Sequence, residues 1–114
     1  LDPGPASALE AAIRALEGAG ARVESVAAPM IGSAMDLSGP LYTADAWAVW
    51  RRHIEASGHL MFHNVRERVE AGAAVPAHAF LEGWETLRRL RTEWAALTAP
   101  YDAVLGPTSP ILPR

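Results

Sequence analysis

Tyr101-Asp102-Ala103-Val104-Leu105-Gly106-Pro107-Thr108-Ser109-Pro110 is the run whose reading decides the fold. Ala103 to Leu105 is a short apolar stretch between Tyr101-Asp102 and Gly106-Pro107, which predicts a buried strand entering a proline-stiffened turn. Strands without polar alternation belong in sheets covered on both faces. Just upstream, Phe80, Leu81, Trp84, Leu87, Leu90, Trp94 and Leu97 recur at spacings of three and four. That stripe predicts a helix over 77–98, opened by Val75-Pro76 and ~30 Å long at 1.5 Å per residue. A long helix, a break at Pro100 and a buried strand make half of an α/β layer.

Working outward, Ser7-Ala8-Leu9-Glu10 has the S-x-x-E spacing of a capping box, followed by the stripe Leu9, Ala12, Ile13 and Leu16. Gly18 and Gly20 are stop signals, and Gly20 is the better left-handed cap. Val23 and Val26 then sit among Arg22, Glu24 and Ser25 ahead of Pro29, predicting a strand over 22–27. Residues 30–40, with Gly32, Ser33, Ser38, Gly39 and Pro40, predict a linker. A second helix is expected over 41–57, with Trp47, Trp50 and Ile54 on its core face and Gly58 at its end. A third is expected over 60–72, with Val65 and Val69 in its stripe and Gly72 as its cap. The expected architecture is an α/β fragment, predominantly helical: four helices and two short strands of a mixed central sheet. Residues 1–114 form a single partial domain, and the start at Leu1 is read as that of an excised piece.

Composition narrows the function. The 114 residues carry ten basic and thirteen acidic side chains, a net charge of −3, which argues against a nucleic-acid partner. All the basic residues are arginines, so a serine–lysine mechanism cannot be completed within the chain. With no cysteine, thiolate nucleophiles, thiolate metal sites and disulfides are excluded, and a cytoplasmic location is expected. No apolar run reaches the ~20 residues that span a bilayer, so no membrane partner is expected.

Few residues have the pattern of a chemical site. His59 and His63 share the i, i+4 spacing of a zinc-binding helix, but no Glu follows His59 and no third ligand is evident; surface histidines are the preferred reading. The available serines lack a G-x-S-x-G elbow, and Asp36, Asp45 and Asp102 lie in ordinary contexts. Thr108 and Ser109 could present hydroxyls at a strand's carboxyl end, though a simple proline turn explains them better. The Arg88-Arg89-x-Arg91 cluster reads as a salt-bridged surface because Glu85 and Glu93 interleave it. No catalytic residue, metal or cofactor is assigned.

The run Asp102-Ala-Val-Leu-Gly-Pro107-Thr108-Ser-Pro110 resembles the D-x-x-x-x-P-T-x-P segment of the amidase signature family. Three further landmarks match in order. They are Leu9-Glu10 through Gly20-Ala21-x-Val23-x-x-Val26 to Pro29, then Leu41-Tyr42-Thr43-Ala44-Asp45-Ala46, and Val65-Arg66-Glu67-Arg68-Val69-Glu70-Ala71-Gly72. The resemblance covers nearly the whole chain. It implies a C-terminal portion of an α/β/α amide hydrolase, free or as an amidotransferase A-like subunit. The family's Ser–cis-Ser–Lys triad and Gly/Ser-rich loop belong upstream of the matched region. The parent would cleave a small-molecule carboxamide through an acyl-serine intermediate, and this chain alone is expected to be inactive. The resemblance also implies that Arg68, or Arg66 one register away, grips the substrate's polar end, as a guanidinium can do bidentately. The rival reading is a self-contained helical interaction module built on the tryptophan-rich helices. If the chain is a fragment, exposed strand edges or those helices are expected to support homo-oligomers, whereas a monomer with no unpaired edges would favour the rival.

Overall fold

A computed structural model describes residues 2–111. They form two compact units, one of residues 2–27 with 98–111 and one of residues 28–97. Four α-helices make up the regular structure: α1 (Pro3–Gly18), α2 (Met30–Ser57), α3 (His63–Glu70) and α4 (Ala77–Thr98). Short 3-10 turns at Gly58–Leu60 and Ala71–Ala74 flank α3. Among the described residues there is no strand, so the two expected strands are corrected: 22–27 and 103–105 carry no regular structure. Their composition favours β-structure, but a strand exists only through its neighbours, and neither stretch has a main-chain partner.

In the first unit, α1 starts earlier than the capping box requires. Prolines occupy its first turn, where a missing N–H costs nothing, so Ser7 and Glu10 lie inside the helix and form no cap. Gly20 ends the segment in the left-handed conformation, φ 93°, as its position predicts. The Ala21 amide closes the turn onto the Leu16 carbonyl at 3.0 Å. The Asp2 amide donates to the Pro110 carbonyl at 2.8 Å, tying the start of α1 to the proline-rich run.

In the second unit, the expected linker over 30–40 is helical instead, and Pro40 lies inside α2. Pro40 brings no amide to the Asp36 carbonyl, and the hydroxyls on either side of it bond to other carbonyls of the helix. The Ser38 hydroxyl donates to Met35 O at 2.7 Å and the Thr43 hydroxyl to Pro40 O at 3.2 Å. Helix α3 is shorter than expected, since residues 58–62 and 71–74 tighten or break the pattern at either end. Helix α4 has the predicted limits.

Helix α3 and the 71–74 turn pack on α2. The close approach is at Gly72: a Cβ there would lie 1.9 Å from the Thr43 carbonyl oxygen. Gly72 lies inside the 71–74 turn as a packing residue, where a helix cap was expected. Gly83 plays a gentler version of the same part, its missing Cβ being 3.0 Å from Leu41 Cδ2. Among the described residues the buried large side chains are Leu41, Ile54, Val69 and Leu90. Trp50, expected in the core, is 49% exposed, and Met35, Val49, Leu60, Phe62, Val65 and Leu81 are exposed as well.

Candidate functional site

The residues assigned by sequence come apart in space. Arg68 stands exposed on the last turn of α3, with no hydrogen bond or ion pair among the described residues. Arg66 points elsewhere and is half-buried. Its Nη1 donates to the Gly58 carbonyl at 3.4 Å, and its Nε lies 3.6 Å from Glu70 Oε1. A Cβ on Gly58 would sit 3.2 Å from Arg66 Cδ, so the glycine makes room for the arginine stem. Arg66 therefore braces the turn after α2, which leaves Arg68 as the guanidinium available to a ligand. Exposure keeps that guanidinium solvated, so an anion would gain little from it until something covers the pair.

Beside this turn lies a shallow apolar hollow of about 230 Å³, lined by Trp50, His53, Ile54, Ser57, Leu60 and Met61 among others. The Trp50 and His53 rings meet at 5.7 Å. A second hollow of about 220 Å³ lies between the start of α2 and the middle of α4, lined by Met30, Ile31, Ala34, Leu87, Leu90 and Trp94. Both are smaller than the ~300 Å³ at which enclosed ligand pockets begin. The first is lined by both Ser57 and His53, but among the described residues no hydrogen bond joins them and no third group orients the imidazole, as nucleophilic catalysis needs.

His59 lies in the 3-10 turn and His63 begins α3, so the i, i+4 pair of a zinc helix is not built. His63 instead faces Glu67, 3.2 Å away. Among the described residues no group of three metal-ligating side chains converges. Arg88, Arg89 and Glu85, Glu93 form exposed pairs at 3.2 and 3.0 Å, as the interleaved charges predict. The Ser109 hydroxyl serves its own turn, donating to Ile111 O at 2.7 Å and accepting from Ile111 N at 3.3 Å.

Sequence reasoning missed one constellation. In the first unit Tyr101 donates its phenolic proton to Glu24 Oε1, across 77 residues of chain. Arg22 grips the other oxygen of the same carboxylate at 3.1 Å. The Tyr101 bond, then Arg22, holds the Glu24 carboxyl below its ordinary pKa, and the carboxylate holds the Tyr101 phenol above its own. Tyrosine beside a β-like run gave the only hint of it in the sequence.

No family model, curated protein or solved structure matches the chain. No helix among the described residues is long and apolar enough to cross a membrane.

Proposed function

We propose that this chain is a non-catalytic segment of an amidase-signature amide hydrolase, supplying scaffold and part of the wall of the substrate cleft. The observation that supports this reading is the Tyr101–Glu24 hydrogen bond. It ties Tyr101, at the head of the D-x-x-x-x-P-T-x-P run, to Glu24 in the 22–27 run by a side-chain contact. In the complete enzyme a serine nucleophile, a lysine base and the oxyanion donors act from other residues. The carboxamide is cleaved through an acyl-serine, and Arg68 grips the polar end of the substrate. Desolvation in a closed cleft is what would turn that exposed guanidinium into a strong contact.

Reconstitution tests the proposal. The chain is mixed with an amidase-signature catalytic portion, carrying the Gly/Ser-rich loop and the lysine but truncated ahead of the matched region. Serine-dependent carboxamide hydrolysis is expected from the mixture and from neither part alone. Arg68→Ala is expected to raise KM more than it lowers kcat, with Arg68→Lys recovering only part of the loss.

A second reading is favoured by the exposed apolar residues of the second unit: a helical interaction module whose partner covers Trp50, Leu60 and Phe62. Under that reading the mixture stays inactive, and tryptophan fluorescence shifts only when an unrelated helical partner is added.

A further inference from the structure

Main-chain accounting exposes a second feature of the first unit. Among the described residues, no backbone N–H or C=O between 22 and 27 is hydrogen-bonded to another backbone group. Buried or not, such groups end up paired with water or with another chain. The side chains show how this stretch is laid out. Arg22 and Glu24 are two residues apart, yet their charged ends meet at 3.1 Å. Side chains at i and i+2 share one side in a strand-like backbone. The run carries no regular structure, and its Arg22-Val23-Glu24 pattern would set both charges on one side if a partner drew it into a strand.

We infer that this partner is a second copy of this chain, paired antiparallel about Val23. A two-fold axis at Val23 sets Val23 opposite its own copy, Arg22 opposite the second copy's glutamate, and Glu24 opposite its arginine. The register is self-complementary in charge on one side and β-branched on the other, both favourable cross-strand pairings. A two-fold axis one residue further along would set Glu24 against its own copy, a like-charge clash. The other unpaired stretch, 102–106, offers no such reciprocity and runs into Pro107, which cannot donate. This inference does not depend on the amide reading: a dimer can form whether or not a catalytic portion is ever restored.

A few main-chain bonds set against the cost of association give at most a weak dimer, so association is sought at high protein concentration. Sedimentation equilibrium of the full chain is the test, with helicity monitored by circular dichroism. Val23→Pro removes an N–H that makes no internal backbone bond, so helicity should hold while the dimer is lost. Arg22→Glu and Glu24→Arg should each weaken self-association about tenfold. An equimolar mixture of those two variants restores both cross-strand ion pairs and should yield a hybrid dimer near wild-type affinity. A chain still monomeric at about 1 mM overturns the inference. So does a dimer untouched by Val23→Pro, which would use the helices, and so does failure of the charge variants to form the hybrid.

Discussion

At Gly72 the side chain is excluded by backbone, not by a movable neighbour. A methyl there must fit within 1.9 Å of the Thr43 carbonyl oxygen, so α3 and the following turn must move off α2. Gly72→Ala should therefore destabilise the second unit by on the order of 3 kcal/mol in denaturant unfolding. Gly32→Ala near the start of α2 meets open space and should stabilise by about 0.5–1 kcal/mol through helix propensity alone. The Glu24–Tyr101 bond makes a different residue-scale prediction. Glu24 is depressed below 4.5, so its contribution is present above that pH and fades as the pH falls through the folded value. Tyr101 is raised above 10.0, so its contribution is present below that pH and fades as the pH climbs through the folded value. The contact is whole between those limits. In a phenolate absorbance titration, the component removed by Tyr101→Phe should have its midpoint above 10.0. Glu24→Gln should bring that midpoint down. A Tyr101 component titrating at or below the ordinary value would contradict the geometry.

Among the elements, legibility followed how local the determining physics is. Helix α4 was readable to the residue, because its stripe lies within it and Pro76 and Pro100 flank it closely on either side. Gly20 was readable because only a positive φ is at issue. The reach of α2 through Pro40 was not, since a proline flanked by Gly and Ser reads as a loop unless the packing of Leu41 against Gly83 and the nearby turn is known. The 22–27 and 103–105 runs were misread for the opposite reason. Their side chains favour a sheet, but strand formation needs a partner, and no residue in the described chain supplies one. Of the candidate site, Arg68 is proposed from motif resemblance alone. The bracing role of Arg66 depends on Gly58, eight residues away and in another element. Pro40 yields an element-scale prediction. Pro40→Ala restores an amide facing the Asp36 carbonyl and should stabilise α2 by on the order of 1–3 kcal/mol, with increased ellipticity. A loss of stability would mean that α2 needs the interruption for its packing.

At the scale of the whole molecule, among the described residues few large side chains are buried, Trp50 and several aliphatic side chains are exposed, and the runs 22–27 and 102–106 make no bonds to other backbone. Its surface charge pairs, Arg14–Glu10 and Arg89–Glu93 among them, are exposed and should contribute little to stability, so added salt should leave the melting temperature nearly unchanged. The most direct measurement is carboxamide turnover by the purified chain, alone and after addition of a truncated amidase-signature catalytic portion. No turnover by the chain alone, and serine-dependent turnover in the mixture, is the predicted result. Hydrolysis by the chain alone that a serine-directed inhibitor abolishes, or a mixture that stays inert, would contradict the assignment of this polypeptide to the cleft wall.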